Sequence, residues 1–316
     1  MEEARERLNI VTGAFGFLGK YITRRLLASG EWVRALTNHA SSAPAIDVAH
    51  LEFRNPQALE SSMAGATVLF NTYWVRYGYR GIRHDTAVEN TRALIRAAER
   101  AGVKRVVHIS VTNPSPDSLL PYFRGKAAVE DIIRASSLSY AILRPALMFG
   151  TEDILINNIA WLLRRFPFFA IPGDGEYGLQ PIFVDDLAAL AVENGYRHDN
   201  VVIDAIGPEM YKYVDLVQLI RETIHSNCRV VCAPSHVARV ASWVLGLLVR
   251  DIVLTGEEME GLMANLLVSN QPPTGRKSLR EWLRENSDGL GIKYASEIER
   301  HYRTTTRRVH WLQIRP

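Results

Sequence analysis

Three glycines at intervals of three residues, Gly13, Gly16 and Gly19, follow a short apolar segment near the start of the 316-residue chain. The order is a strand, a glycine turn and a helix. The first glycine permits a sharp turn, the second lets backbone N–H groups approach a ligand, and the third lets the helix pack close to the strand. Because a helix N-terminus attracts anions, the segment predicts a site for the pyrophosphate of a dinucleotide.

Apolar strands alternate with helices through the first half of the chain. The predicted strands begin at 10 and lie at 32–37, 68–71, 105–110 and 140–143, and the predicted helices lie at 19–29, 86–101 and 122–135. Continuous apolar strands between helices indicate a parallel sheet that is covered on both faces. The predicted fold is therefore α/β, a doubly wound parallel sheet of the Rossmann type, with ligands at the C-terminal ends of its strands.

The second half of the chain is less regular, and we expect two domains. A dinucleotide-binding domain is predicted over 1–150, with later contributions from about 180–207, and a smaller helix-rich lobe over 151–316. The predicted elements of this half are helices at 154–166, 184–194 and 214–224, a strand at 201–203, a proline- and glycine-rich loop at 167–178, and mostly helix after 234 with a break at 270–275.

The amino-acid composition is typical of a globular protein. Hydrophobic residues make up 47% of the chain and charged residues 22%, as in globular proteins, and a net charge of +3 does not by itself indicate nucleic acid. Cys228 and Cys232 lack metal-site spacing, so we expect packing roles, no metal and a reducing compartment.

No targeting segment is visible, and the apolar run 240–249 is shorter than the roughly 20 residues of a membrane-spanning helix. We expect a soluble, cytoplasmic protein in which 237–249 packs into the core and does not bind a membrane. The alternatives for this apolar run are a cover over the substrate cleft, a dimer surface and a membrane surface.

A phenol and an ammonium lie four residues apart at Tyr122 and Lys126, on one face of a predicted helix. This helix begins shortly after the strand end at Ser110 and Thr112, so a hydroxyl can reach the same place. A tyrosine needs a lowered pKa to exchange protons near neutral pH, and a nearby cation lowers it. The pattern favours acid–base chemistry on an oxygen of the substrate.

Taken together, these segments resemble the extended and atypical short-chain dehydrogenase/reductases over residues 9 to about 207. The motifs that carry the resemblance are the turn from Thr12 to Gly19, Asn90 in Val88-Glu89-Asn90-Thr91, the strand end Ser110-Val111-Thr112, Tyr122-x-x-x-Lys126, Arg144-Pro145 and Val184-Asp185-Asp186. For the last of these, a structural role at a helix N-terminus is the favoured interpretation.

The resemblance implies roles for four residues. Tyr122 would be the proton donor or acceptor, and Lys126 would bind the nicotinamide ribose and lower the pKa of that tyrosine. Thr112, rather than Ser110, would hydrogen-bond the substrate oxygen. Asn90 would support its helix or a proton-relay water.

The resemblance also implies a nicotinamide dinucleotide. An acidic residue after the second strand would indicate NAD and an arginine NADP, but the chain has Asn38 and His39 there. His39 and Arg54 can supply positive charge, which favours NADP over NAD. The implied contact residues are Gly13, Phe15, Gly16, Phe17, Leu18, Gly19, Asn38, His39, Glu52, Phe53, Asn71, Thr72, Tyr73, Ser110, Lys126 and Pro145.

The stretch Gln180-Pro181-Ile182-Phe183-Val184 bears on the substrate. It lacks the arginine that nucleotide-sugar epimerases of this superfamily use for a diphosphate. It looks more like the atypical branch related to the accessory subunit of respiratory complex I. We therefore expect an NAD(P)-dependent oxidoreductase or epimerase/dehydratase acting on a small carbonyl or alcohol, without nucleic acid. The alternative is a non-catalytic dinucleotide-binding scaffold, assembly or redox-sensing protein. A homodimer is an expectation from the family alone.

Overall fold

The computed structural model describes residues 7–38, 46–76, 78, 81, 83–251 and 255–298. The strands are β1 (Leu8–Thr12), β2 (Trp32–Thr37), β3 (Asp47–His50), β4 (Val68–Asn71), β5 (Arg105–Ile109), β6 (Ser139–Pro145), β7 (Leu147–Phe149), β8 (Phe168–Pro172), β9 (Gly178–Leu179), β10 (Pro181–Phe183), β11 (Val201–Ala205), β12 (Tyr211–Lys212) and β13 (Arg229–Ala233). The helices are α1 (Phe17–Ala28), α2 (Pro56–Ser61), α3 (His84–Arg100), α4 (Pro121–Arg134), α5 (Leu155–Arg165), α6 (Val184–Gly195), α7 (Tyr213–Thr223), α8 (Ser235–Val249), α9 (Gly256–Met263) and α10 (Leu279–Asn286).

The chain divides into two compact units. Among the described residues, the sheet unit takes in 7–144 and 187–203, and the C-terminal unit takes in 145–186 and 204–298. The division falls inside β6, α6 and β11, so these elements contribute residues to both units.

The sheet unit is built on seven strands in the order β11-β6-β5-β4-β1-β2-β3. The pairs from β6 to β3 are all parallel. All five residues of β5 are buried, as expected for a central strand covered on both faces. On α1, the residues Leu18, Ile22 and Leu26 are buried at intervals of four, which places one apolar stripe against the sheet. The predicted doubly wound α/β fold is confirmed.

The C-terminal unit has its own apolar core and three short strand pairs, β7 with β10, β9 with β12, and β8 with β13. In that core Phe149 contacts the ring of Trp282 edge to face, with ring centroids 5.6 Å apart. Tyr177 and Tyr213 stack with centroids 5.4 Å apart. Buried side chains from α5, α7 and α10 complete the core.

The structure corrects the predicted loop at 167–178. Residues 168–172 form β8, which pairs in parallel with the unpredicted strand β13 over 229–233. Prolines and glycines lie at either end of the apolar run 168–172. Because of them, sequence reasoning assigned the whole segment to a loop. The strand β3 and the helix α2 were also not predicted, since both are very short.

Two packing expectations for the C-terminal unit are wrong. Cys228 is buried as expected, but Cys232 is exposed on β13. The apolar run in α8 does not pack into the core, because Trp243 is 65% exposed and Leu248 is 70% exposed. Among the described residues, every helix is too short or too polar to cross a membrane.

A buried carboxylate joins the helix α4 to the strands β5 and β6. Glu130 accepts hydrogen bonds from Ser110 Oγ at 2.6 Å, from Arg144 Nε at 2.9 Å and Nη2 at 2.6 Å, and from Arg134 Nη2 at 2.7 Å. Burial by itself would raise the pKa of Glu130, but the hydrogen bonds from Arg144 and Ser110 outweigh it and hold that pKa below its ordinary value. The ionised carboxylate therefore fixes α4 relative to the sheet.

We expect the Glu130→Gln substitution to lower the free energy of unfolding by about 3 kcal/mol, because it leaves Arg144 without its buried counter-charge. The neighbouring Asp131 is 70% exposed and pairs with Arg134 at 3.2 Å, so Asp131→Asn should cost less than about 1 kcal/mol. Urea unfolding at pH 7 measures both. Equal losses in the two variants would show that the Glu130 network does not hold α4.

Candidate functional site

Three neighbouring parallel strands, β1, β4 and β5, end at the same edge of the sheet. The segments that follow them are the glycine turn at 13–19, residues 72–74 and residues 110–112. The helix α4 brings Tyr122 and Lys126 from the segment after β5. In an open parallel sheet, this is the edge where ligands bind. All of these residues belong to the sheet unit.

The glycine turn has the geometry of an anion cradle. Gly13 has a φ of +64°, and the N–H of Gly16 donates to the carbonyl of Gly13 at 2.8 Å. A Cβ at Gly19 would lie 2.0 Å from that same carbonyl, so only glycine permits this approach of α1 to β1. No side chain caps the start of α1. A helix N-terminus without a side-chain cap suits an anion such as a pyrophosphate.

Thr12, the last residue of β1, fixes this turn to the end of β4. Its Oγ1 accepts hydrogen bonds from the N–H of Thr72 at 2.9 Å and of Tyr73 at 3.1 Å. The hydroxyl of Thr72 donates in return to the Thr12 carbonyl at 2.5 Å. These bonds align the glycine turn with 72–74. Sequence reasoning quoted Thr12 within the turn motif but gave it no role.

The hydrogen bonds continue below the edge through Asn71 to His108. The Oδ1 atom of Asn71 accepts from the N–H of Tyr73 at 3.1 Å, so its Nδ2 faces His108 Nδ1, also at 3.1 Å. This assignment leaves the proton of a neutral imidazole on Nε2, which has no hydrogen-bond partner among the described residues. Burial, with the nearby Lys126 charge, lowers the pKa of His108 well below its ordinary value. Asn71, predicted as a cofactor contact, has its side chain fully buried beneath the edge.

Lys126 is buried at the end of β5. Its Nζ donates to the carbonyl of Ile109 at 2.8 Å and lies 4.4 Å from the centroid of the Trp74 ring. Burial lowers the pKa of Lys126 to about 7, although attraction to Glu130 opposes the shift. The side chain therefore changes charge near neutral pH.

Tyr122 lies in an aromatic cluster with Trp74 and His84. Its ring meets both edge to face, with centroids 5.9 Å from Trp74 and 5.7 Å from His84. Trp74 stacks on His84, and a Cβ at Gly125 would lie 3.0 Å from its ring, so the glycine makes room for Trp74 against α4. Tyr122 and Lys126 therefore both contact the Trp74 ring. Sequence reasoning missed Trp74 and His84, which follow no motif.

The two hydroxyls after β5 have different surroundings. Ser110 donates to Glu130 and so serves the structural network described above. Thr112 is fully buried one position beyond the apolar Val111. Ser110 is therefore part of the structural network, and the role of Thr112 in chemistry stays a prediction.

Asn90 on α3 points to Tyr73 and not to Tyr122. Its Nδ2 donates to Tyr73 Oη at 2.8 Å, and burial raises the pKa of Tyr73 despite this bond. The Tyr73 ring lies 4.8 Å from that of Phe53. Asn90 therefore supports the segment after β4, in which the Tyr73 ring contacts Phe53.

The remaining predicted contacts are placed as follows. Phe15 and Phe17 are half-buried, Leu18 is buried in α1, Asn38 and Glu52 are exposed, Pro145 ends β6, and His39 lies outside the described residues. Two arginines, Arg34 in β2 and the predicted Arg54 after β3, have different surroundings. Arg34 pairs with Asp47 at 2.6 Å and donates to backbone carbonyls, so it has a structural role, whereas Arg54 is exposed.

Comparison with known proteins finds similar proteins for most of the sheet unit. Residues 13–154 match a family model described as NAD(P)H-binding. At 26% identity over 72% of the chain, the protein is similar to the NADH dehydrogenase (ubiquinone) 1 alpha subcomplex subunit 9, mitochondrial, of Arabidopsis thaliana. It is 25% identical over 79% of the chain to the mitochondrial 40 kDa subunit of NADH-ubiquinone oxidoreductase of Neurospora crassa. The matches span 61% and 69% of those two proteins.

Solved structures show the same fold. An NADPH-dependent quinone oxidoreductase from Escherichia coli in complex with NADPH has a TM-score of 0.71, with 19% identity over 88% of this chain and 99% of that one. A nucleoside-diphosphate-sugar epimerase from Staphylococcus aureus has a TM-score of 0.66, with 16% identity over 87% of this chain and 99% of that one. At these identities the likeness shows the fold alone.

These findings confirm the predicted resemblance to atypical short-chain dehydrogenase/reductases and the predicted NAD(P) cofactor. The chain has an NAD(P)-binding fold of the epimerase/reductase kind. They contradict the predicted cytoplasmic location, which depended on the lack of a visible targeting segment, because both curated relatives are named as mitochondrial proteins.

Gly16→Asp should weaken cofactor binding, and Gly16→Asn controls for the 3.1 Å contact that either Cβ would make with the Gly13 carbonyl. An aspartate at the N-cap favours α1, but its charge repels a pyrophosphate about 4 Å away by a few kcal/mol, which is roughly a 100-fold loss of affinity. Calorimetric titration with NADPH measures the affinity. Gly16→Asn, of the same shape without the charge, should bind more tightly than Gly16→Asp. Equal affinities in the two variants would contradict anion binding at this turn.

The lowered pKa of Lys126 predicts a pH dependence of stability. Between pH 7 and the ordinary lysine pKa, the unfolded chain binds more protons than the folded one, so the free energy of unfolding rises with pH. The rise is about 1.4 kcal/mol per pH unit in this window. It should vanish in Lys126→Met and persist in Lys104→Met, which changes an exposed lysine. Urea unfolding at pH 7, 8 and 9 tests this, and parallel curves for all three proteins would contradict it.

Proposed function

Because residues 13–154 form an NAD(P)H-binding domain of the atypical short-chain dehydrogenase/reductase kind, we propose that the chain is an NAD(P)H-dependent oxidoreductase acting on a small carbonyl or alcohol. The observation that carries the proposal is the placement of Lys126. Its ammonium lies at the end of β5, beside the strand that leads into 72–74 and one helical turn from Tyr122. This is the arrangement that proton exchange next to a bound dinucleotide requires.

Different residues of the chain would hold the cofactor, exchange the proton and bind the substrate oxygen. The amides at the start of α1 and the glycine turn would hold the pyrophosphate, and Lys126 would hold the nicotinamide ribose. When bound, the nicotinamide supplies or accepts a hydride. Tyr122 Oη gives a proton to the substrate oxygen in reduction and takes it in oxidation, and Thr112 Oγ1 hydrogen-bonds the same oxygen. A charged Lys126 lowers the pKa of Tyr122 and so favours the phenolate.

We further propose NADP(H) rather than NAD(H) as the cofactor. Asn38 follows β2, where a carboxylate would accept hydrogen bonds from an unphosphorylated ribose. Arg54 is exposed in the segment after β3, the strand that pairs with β2, and can offer charge to a 2′-phosphate. Competition between NADPH and NADH in calorimetry tests this choice.

A second candidate function is a dinucleotide-binding subunit without turnover. The observation in its favour is that the Trp74 ring and the Ile109 carbonyl already engage the Lys126 ammonium in this structure. The similarity to subunits of NADH-ubiquinone oxidoreductase supports the same candidate, and with it a partner protein and a mitochondrial setting. In that case the cofactor would stabilise the fold and would not be consumed.

Tyr122→Phe distinguishes the two candidates. Loss of the proton donor should slow NADPH oxidation by roughly 10²- to 10⁴-fold, while NADPH affinity stays within about threefold of the wild type. The assay follows absorbance at 340 nm with a panel of aldehydes, ketones and quinones. Tyr140→Phe, at a half-buried tyrosine of β6, is the matched control and should retain full activity.

Two results would count against the oxidoreductase. Unchanged turnover in Tyr122→Phe would remove that residue from the chemistry. Tight NADPH binding without oxidation by any member of the panel would favour the second candidate.

A further inference from the structure

The Trp74 ring contacts both members of the pair on which the proposed function depends. Lys126 Nζ lies over the face of the indole, 4.4 Å from the ring centroid. The Tyr122 ring meets the indole edge to face, with the two centroids 5.9 Å apart. Tyr122 and Lys126 are one turn apart on α4, whereas Trp74 belongs to the segment after β4. One side chain from outside the helix therefore contacts both of them.

His84 and Gly125 set the position of the Trp74 ring. His84 stacks on the indole, with centroids 5.9 Å apart and ring planes 11° apart. On α4, a Cβ at Gly125 would lie 3.0 Å from Cη2 and 3.4 Å from Cζ2 of the indole, so the glycine leaves the space that the ring fills. Trp74 is therefore held where its face meets the ammonium.

The titratable groups on β5 and α4 compensate the Lys126 charge only in part. His108 is buried and neutral, because burial and the Lys126 charge lower its pKa. Glu130 attracts the ammonium, but its carboxylate also accepts hydrogen bonds from Arg144 and Arg134. Burial lowers the pKa of Lys126 to about 7 despite this attraction.

The helix α3 packs against α4 and brings no buried carboxylate to its first turns. Its acidic residues there, Asp85 and Glu89, are exposed, and its buried His84 contacts Trp74. The negative face of an indole stabilises a cation, and does so more strongly where the cation is removed from water. The Trp74 ring therefore favours the charged form of Lys126.

We propose that Trp74 is a positioning residue of the reaction, whose ring keeps the Lys126 ammonium charged and next to Tyr122. The proposal rests on the proposed function and adds to it a residue that acts through Lys126. A charged Lys126 lowers the pKa of Tyr122, so loss of the lysine proton sets the upper pH limit of the reaction. Trp74 moves that limit to higher pH.

Titration of Lys126 by NMR tests the contact without any turnover. In protein labelled with carbon-13 at lysine Cε, the resonance that is absent from Lys126→Met identifies the side chain, and its dependence on pH gives the midpoint. Trp74→Leu should lower this midpoint by about one pH unit, because leucine is apolar but has no negative face. Trp74→Phe should lower it less, since a phenyl ring binds a cation more weakly than an indole.

Three controls separate the indole from other causes. Trp243→Leu makes the same change at a 65% exposed tryptophan of the C-terminal unit and should leave the midpoint unchanged. His84→Phe keeps a ring against Trp74 without a titrating imidazole, and the effect of Trp74→Leu should persist in this background. Fluorinated tryptophans keep the shape of the ring and withdraw charge from its face. They should lower the midpoint even if Trp74→Leu does not fold.

The pH profile of kcat/KM for NADPH oxidation tests the effect on the reaction. The fall of kcat/KM at high pH should move to lower pH in Trp74→Leu by the same interval as the NMR midpoint. A variant with only structural damage would lose activity equally at all pH values. Thermal midpoints show which variants are folded.

Two outcomes would overturn the proposal. The first is an NMR midpoint of Lys126 that stays unchanged in Trp74→Leu and in the fluorinated protein, whether or not the wild type is active. The second is a midpoint that shifts while the pH profile stays in place, because the charge of Lys126 would then not enter the reaction. A wild type that oxidises NADPH with no substrate but shows the expected NMR shifts would count against the proposed function and not against the contact.

Discussion

The hydroxyl of Thr12 joins the two strand ends on which the dinucleotide site depends. It accepts hydrogen bonds from two consecutive amides after β4, at Thr72 and Tyr73. Leaving a buried amide unpaired costs about 1–3 kcal/mol, so the two bonds hold the segments firmly. The same contact brings Thr72 Oγ1 within 3.1 Å of where a Cβ of Gly13 would lie. Glycine is therefore required at Gly13 both for its positive φ and for space.

A second constraint is the burial of Lys126. An ammonium removed from water is unfavourable unless nearby groups compensate, and here the Ile109 carbonyl, the Trp74 ring and the more distant Glu130 do so. The nearby His108 is neutral and adds no competing positive charge. A lysine held this way is poised near neutral pH, which couples the charge next to Tyr122 to the pH of the surroundings. Any group that accepts a hydrogen bond from Lys126 favours the charged form.

Sequence patterns predicted those parts of the site that are local in the chain. The glycine turn and the pair Tyr122 and Lys126 depend on spacing within one turn or one helix, and periodicity is sufficient to place them. The sheet also followed from apolar strands alternating with helices. In contrast, Trp74 meets Tyr122 across 48 positions, and no motif marks such a pair. The short strand β8 was missed because prolines and glycines at its ends outweighed its apolar residues.

The other differences between the sequence predictions and the structure concern which side chains are buried. Asn71 has the residue type of a ligand contact, but its amide is used by Thr12, Tyr73 and His108 below the edge. Glu130 could have been suspected, since it lies one turn after Lys126 on the buried side of α4, but its arginine partner on β6 is fourteen residues away. The α8 run was expected in the core because apolar composition alone does not show whether a neighbouring element covers it. Such contacts depend on tertiary structure and not on local pattern.

Hydrogen–deuterium exchange with and without saturating NADPH tests the central claim most directly. If the edge formed by β1, β4 and β5 binds the dinucleotide, amides in 13–19, 72–74 and 110–126 should gain protection together. Protection of the first segment alone would place the pyrophosphate but leave Tyr122 and Lys126 outside the site. Protection confined to the C-terminal unit, or none despite measured binding, would contradict the account.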